Sequence, residues 1–325
     1  MIETGIPDDP SGRNGSDAMG LQVTIRRPLP SAPMELGVVL TATDIGFDWP
    51  ALREFVQAID EAGFSYVTTN DHVVGGHPDR AGGERVHTYD VPIHEPLTLL
   101  SFIAATTTRL DVVTAVLLLP QRQTVLVAKQ AAALDILSGG RLRLGVGVGR
   151  NWMEYEALNE QFTNRGKRIE EQVEVLRRLW TDELVTFDGT WHHLDRVGIN
   201  PLPKQRPIPI WMGSFFGTLV ESVLERVGRL ADGWMPQFPP DDDLAAALDR
   251  LRGYAVAAGR DPNALGIECV MRIRADDDPQ RWYNDASAYR ALGATHLKVA
   301  TSGRFESLDD LRDCVVRWHE VACAV

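Results

Sequence analysis

The chain has 325 residues, of which 44% are apolar and 24% charged, with a formal net charge of -12. That length buries one large core or two modest ones, and an acidic balance without a basic stripe excludes non-specific binding to nucleic acid or acidic membranes. The three cysteines, Cys269, Cys314 and Cys323, form no CxxC pair, which excludes a disulfide framework and a zinc ribbon and fits a reducing cytoplasm.

The first residues, "MIETGIPDDPSGRNGSDAMG", carry neither a basic n-region nor an apolar h-region, so no secretory signal is expected. Their Gly, Asp, Ser and Pro content reads as a flexible tail over 1–33, with one domain over 34–325. From Met34 onward β-rich runs alternate with amphipathic stretches. "MELGVVL" (34–40) is a predicted strand, and "ALREFVQAIDEAGF" (51–64) sets Leu52, Phe55, Val56, Ile59 and Ala62 on one helical face. A strand at 65–69, a helix at 97–108 and a strand at 110–118 follow. The helix over 125–140 ends in Ser-Gly-Gly, a left-handed C-cap signal, and leads into the strand "RLRLGVGVG" (141–149).

A long helix comes next, clearest over 165–180, and then a small hairpin over 185–194 turning at Asp188-Gly189. Strands at 208–213, 231–236, 265–273 and 295–301 alternate with helices at 217–229, 242–259, 281–292 and 308–322. Eight strands, each followed by a helix and with no composition break, is the arithmetic of a closed (β/α)8 barrel. Periodicity does not see closure, which leaves a doubly wound open sheet as the other arrangement. No apolar run is long enough to span a bilayer.

The run "SGGRLRLGVGVGR" (138–150) places Gly145, Gly147 and Gly149 near the spacing of a dinucleotide fingerprint. That fingerprint is GxGxxG at the first strand-to-helix turn with an acid about 20 residues later; GxGxG on the fourth strand is a poor match. Two readings stay open: small residues filling a tight barrel layer, or a rim at Val148-Gly149 where bare backbone approaches an anion.

Asn70, Asp71 and His72 end the second strand, where a barrel places reactive groups, although an Asp-His pair also serves as a loop cap over a packed ring. The loop over 73–95 is long for such a connection and reads as a lid. Four of the eight histidines (His72, His77, His87, His94) fall there, but their separations resemble no metal motif, so no metal is expected. Trp234 either stacks on a planar ligand or closes the core. No GxSxG elbow, P-loop or CxxC occurs, which removes support for those chemistries.

Three stretches, "EAGFSYVTTNDH", "PLTLLSFIAATTTRLDVVTAVLLLPQRQTVLVAKQAAALDILSGGRLRLGVGVG" and "PIPIWMGS" followed by "LADGWMP", resemble the bacterial luciferase-like flavin and deazaflavin oxidoreductases, in family order, over about residues 34–300. The block from Ala104 to Gly149, with "ADGWMP", is similar to the branch that uses coenzyme F420 and is found mainly in actinobacteria. FMN-dependent monooxygenases share much of it. The resemblance implies a (β/α)8 barrel with inserted segments and a deazaflavin in its mouth. It implies that Asp71 meets the ring at its pyrimidine side and that His72 lies near the reactive carbon. A non-prolyl cis peptide, here Ala115–Val116, is implied against the ring. Val148, Gly149, Gly213 and Ser214 match backbone positions near the cofactor phosphate, where Arg150 adds a charge.

Some sugar-phosphate dehydrogenases of the family carry a glutamate just after the glycine run, where this chain has Arg150 and Asn151; it also lacks a recognisable lysine set for a substrate phosphate. Both departures speak against glucose 6-phosphate. His72 is the first candidate for general acid or base, because imidazole titrates near neutrality, and Glu95 is the second. The readings are therefore an F420-dependent oxidoreductase acting on a small organic substrate, an FMN-dependent monooxygenase, or a non-catalytic binder of the cofactor. The resemblance implies a homodimer, and the cysteine usage a cytoplasmic location.

Overall fold

A computed structural model describes residues 32–40, 48–80, 87–214, 220–302, 305 and 307–325. The expected tail falls outside these residues up to 31, as do 81–86 of the loop after the second strand and 217–219 of the helix predicted over 217–229. Eight parallel strands close a barrel: β1 (Glu35–Val39), β2 (Tyr66–Thr69), β3 (Asp111–Leu118), β4 (Leu142–Gly147), β7 (Ile210–Gly213), β8 (Gly233–Met235), β9 (Gly266–Ile273) and β10 (His296–Thr301). Closure rests on β1, which pairs with β2 on one side (Val38 beside Val67) and with β10 on the other (Leu36 beside Leu297). No open edge remains in that sheet, and the doubly wound alternative is excluded. Two further strands, β5 (Val185–Asp188) and β6 (His193–Val197), form the predicted hairpin outside the barrel. The Glu171 carboxylate pins its turn by accepting the backbone N–H groups of Thr190, Trp191 and His192.

The helices lie where the 3.6-residue period puts them. They are α1 (Trp49–Glu61), α2 (Pro96–Thr106), α3 (Thr124–Ser138), α4 (Trp152–Ala157), α5 (Arg165–Thr181), α6 (Glu221–Leu230), α7 (Asp242–Ala257), α8 (Pro279–Ala291) and α9 (Leu308–Cys323). In α1 the buried side chains include Phe55, Val56 and Ile59, as the apolar stripe requires. The single long helix predicted after β4 is instead broken into α4, a 3-10 turn at Phe162–Asn164 and α5. Asn159 takes a φ of 57°, and its N–H bonds back to the Glu156 carbonyl, so the chain leaves the helix there. Among the described residues no helix is long and apolar enough to cross a membrane.

Alternation along the strands divides the barrel interior into a filled floor and a lightly lined mouth. At the N-terminal end the Arg143 guanidinium lies between the rings of Tyr66 and Trp211, 4.6 and 4.3 Å from their centroids. Its charge meets Glu268 at 2.8 Å, and Lys298 Nζ donates to the same carboxylate at 2.6 Å. Glu268 is fully buried; burial alone would raise its carboxyl, but Lys298 and Arg143 more than offset this and hold it below the ordinary value. A cavity of about 540 Å3 opens beneath this floor, lined in part by Glu35, Tyr66, Asp111 and His296. Toward the C-terminal end Met235, Ala115 and Val116 join the interior cluster of Tyr66 and Trp211, and Gly145, Gly147 and Gly213 make room for the side chains of Met235 and Val116. Barrels of this kind place their reactive groups at the C-terminal ends of the strands.

Candidate active site at the barrel mouth

The chain leaves β2 through Asn70, Asp71 and His72. Asp71 is buried, with both oxygens committed: Oδ2 accepts from Leu118 N at 2.9 Å and Arg122 Nε at 3.3 Å, and Oδ1 accepts from Arg122 Nη2 at 2.8 Å. Leu118 is the last residue of β3, so the carboxylate stitches the ends of two neighbouring strands together. Burial raises its carboxyl above the ordinary range, against the pull of Arg122. The other end of Arg122 donates to Glu95 Oε1 at 3.0 Å.

Glu95 is the N-cap of α2, with Oε2 accepting from Thr98 N at 2.7 Å. Burial works to raise its carboxyl, but the bonds from Thr98 and the charge of Arg122 prevail and lower it. The oxygens assigned by resemblance to a ring contact, and those assigned to a second acid or base, are thus both engaged with protein donors. Arg122, which joins them, appears in the sequence only as the first ionisable group past β3.

His72 is brought together with a residue that sequence reasoning missed. Its Nδ1 stands 3.2 Å from Oε1 of Glu154, whose side chain has no exposed surface. The same oxygen accepts from Val73 N at 3.0 Å, and Gln121 Nε2 faces Oε2 at 3.5 Å. Asn151 caps α4 by accepting from Met153 N, which starts the helix one step after the glycine run and carries Glu154 to this point. The signal was a helix cap close behind a strand end, within "RNWMEYE".

The described parts of the loop over 73–95 rest on α4. Gly76 lies against the Met153 side chain, and Arg80 bonds Glu156 at 2.5 Å with its guanidinium over the Trp152 ring. Tyr89 N bonds Gly76 O at 3.1 Å, which draws the two arms of the loop together. His87 stacks on His72 with centroids 3.8 Å apart and planes 27° from parallel. Among the described residues no group of three or more His, Cys, Asp or Glu could hold a metal ion.

The Ala115–Val116 peptide is cis, at the position that the resemblance implied. The β3–β4 register shifts between Thr114 and Leu117 at the same place. The side chain of Val116 fits between two glycines: a Cβ at Gly147 would stand 2.5 Å from its Cγ2, and one at Gly213 2.7 Å from its Cγ1. Gly149 has a φ of 63°, which glycine adopts at no steric cost. The glycine run therefore follows the packing reading at Gly145 and Gly147, and forms a turn at the rim at Gly149. Val148, Gly149, Gly213 and Ser214 are all half-buried there, and Arg150 is exposed beside them. Trp234 is fully buried and donates to Ser214 Oγ at 3.2 Å, so it closes the core rather than lining the mouth.

These features define a closed (β/α)8 barrel with polar side chains gathered at its C-terminal rim. The chain belongs to the luciferase-like monooxygenase family, whose model matches residues 31–314. It is 34% identical over 224 residues to an uncharacterised protein of Mycobacterium tuberculosis, covering 67% of this chain and 74% of that one. It is 30% identical over 269 residues to the F420-dependent glucose-6-phosphate dehydrogenase of Segniliparus rotundus, covering 78% and 71%. Among solved structures, an F420-dependent secondary alcohol dehydrogenase in complex with an F420–acetone adduct superimposes with a TM-score of 0.71 at 16% identity, covering 88% of this chain and 99% of the other, which shows the shared fold.

Proposed function

We propose that this protein is an F420-dependent oxidoreductase that moves a hydride between the deazaflavin and a small organic substrate, with His72 as the proton partner. One observation carries the reading: six half-buried residues on three adjacent strands (Ala115 and Val116 within β3, Val148 and Gly149 just past β4, Gly213 and Ser214 at the end of β7) keep reachable surface above a filled floor. These residues fit a flat ring with a phosphate tail, because the first pair is apolar and the others offer backbone near small side chains. The bound deazaflavin supplies the hydride chemistry. Ala115 and Val116 would hold the ring, Val148, Gly149, Gly213 and Ser214 the phosphate, and Arg150 adds charge at that rim. His72 would take up or return the substrate proton, and the loop packed on α4 would restrict water. Asp71 holds the rim through Leu118 and Arg122.

The dehydrogenase relative at 30% identity supports F420 as the cofactor. The lack of a recognisable lysine set for a substrate phosphate favours an unphosphorylated substrate such as a simple alcohol or ketone. The family's name, luciferase-like monooxygenase, keeps FMN as the second reading. Thermal unfolding measured in parallel with F420, FMN and FAD separates the two, since a ligand bound only by the native state adds about 2.7 kcal/mol at 100 times its dissociation constant. A clear rise with F420 is expected; a rise with FMN and none with F420 overturns the reading. With F420 bound, His72→Ala is expected to retain affinity and lose turnover by roughly 10²- to 10⁴-fold, the range of general acid–base catalysis.

A further inference from the structure

We propose that Glu154 is the positioning residue of the site: it fixes the His72 ring with its proton on Nδ1 and leaves Nε2 as the nitrogen that accepts a proton. A neutral imidazole donates from one nitrogen and accepts at the other, and the bond made by one decides the role of the other. Here the partner of Nδ1 is a carboxylate oxygen, Oε1 of Glu154, at 3.2 Å. That oxygen also accepts from Val73 N at 3.0 Å, while Oε2 faces the amide nitrogen of Gln121 at 3.5 Å. Both oxygens face donors, so the carboxylate is an acceptor throughout, and Nδ1 must carry the hydrogen.

The position of Glu154 suits this task. Its side chain is wholly buried, whereas that of His72 keeps 18% of its surface exposed, so the carboxylate lies beneath a ring that still reaches the mouth. One oxygen holds both the ring of His72 and the backbone of the next residue, which fixes the side-chain rotamer and the exit of the chain from β2 together. His87 stacks on one face of the ring and so also limits its rotation. An Nδ1–H tautomer suits oxidation of an alcohol, in which the hydroxyl proton goes to Nε2 as the hydride leaves the carbon for the cofactor. The role of Glu154 in turnover rests on the proposed function, but its effect on the tautomer does not.

The test uses nitrogen-15 spectra of the histidine rings in the full-length protein without cofactor, which distinguish the two neutral tautomers, together with steady-state kinetics on F420 and a secondary alcohol. In the unmodified protein neutral His72 is expected in the Nδ1–H form. Glu154→Gln keeps an acceptor oxygen and should keep that tautomer, whereas Glu154→Leu should shift it toward Nε2–H. With Leu, kcat should fall by roughly 10- to 100-fold, a part of the 10²–10⁴-fold that a general base supplies, with KM changed by less than about threefold. An Nε2–H tautomer in the unmodified protein overturns the proposal whether or not any variant folds. So does a folded Glu154→Leu protein with an unchanged tautomer and unchanged kcat. A correct tautomer in a protein that FMN stabilises against heat and F420 does not removes the proposed function and leaves the assignment of Glu154 to the ring intact.

Discussion

Arg122 Nη2 donates to Asp71 Oδ1 at 2.8 Å, joining a cation after β3 to a buried carboxylate after β2. Removing one member of a buried pair is far worse than removing both, because the remaining charge loses its partner without regaining water. Arg122→Met is therefore expected to destabilise the protein by about 3–5 kcal/mol at neutral pH, measured by urea unfolding. The loss should shrink as the pH is lowered, since burial already raises the Asp71 carboxyl and the variant removes the charge opposing that rise. The double variant Asp71→Asn, Arg122→Met should be more stable than Arg122→Met alone. A single variant within about 0.5 kcal/mol of the parent, the usual range of surface changes, sinks this account.

Val116 and its two glycines make a second, sharper prediction. Gly147→Ala or Gly213→Ala puts a methyl group into the γ-carbons of Val116, and each should cost about 1–3 kcal/mol, the usual range for overpacking. The Cβ of Val116 lies 3.6 Å from the new methyl at 147 and 3.7 Å from the one at 213, which is ordinary contact. Val116→Ala should therefore relieve much of either penalty. Pairwise cycles of unfolding free energy would show the coupling, and strictly additive costs would mean that the methyl groups clash with something else.

Most of the fold was legible because each element carries its own periodicity. The alternation of Arg143, Gly145 and Gly147 on β4, and the stripe of Phe55, Val56 and Ile59 on α1, are local facts. Closure was not local, since it depends on β1 meeting β10, more than two hundred residues away. Within the site, His72 and the cis bond after Ala115 came from residue types and family likeness. Glu154 did not. Asn151 followed three residues later by glutamate reads as a capping box, a sufficient local account of that carboxylate. The folded chain instead turns it toward the loop after β2, a contact 82 residues distant in sequence. Glu95, the second candidate acid or base, has a local role that Pro96 and Thr98 make legible, since its carboxylate caps α2.

At the opposite end of the barrel the ring of His296 packs into the floor. His296 is driven down from an ordinary 6.5 to about 3, first by burial and then by the nearby Arg143 charge, with Glu268 pulling the other way. Its ring is edge-on to Trp211 at 4.8 Å and to Tyr66 at 5.7 Å, and Nδ1 bonds Thr295 Oγ1 at 2.8 Å. Below pH 6.5 the unfolded chain binds a proton at this ring that the folded chain refuses until about pH 3. Stability due to this group is thus fully present above pH 6.5 and is lost as the pH falls toward 3. The slope cannot exceed about 1.4 kcal/mol per pH unit for one proton and should be smaller for a partly exposed ring. His296→Phe keeps the aromatic contacts and cannot titrate. The stability difference between parent and variant, followed by urea unfolding from pH 8 to pH 4, should be flat above about 6.5 and move toward the variant below it. Two curves that stay parallel over the whole range would show that His296 titrates alike in the folded and unfolded chains.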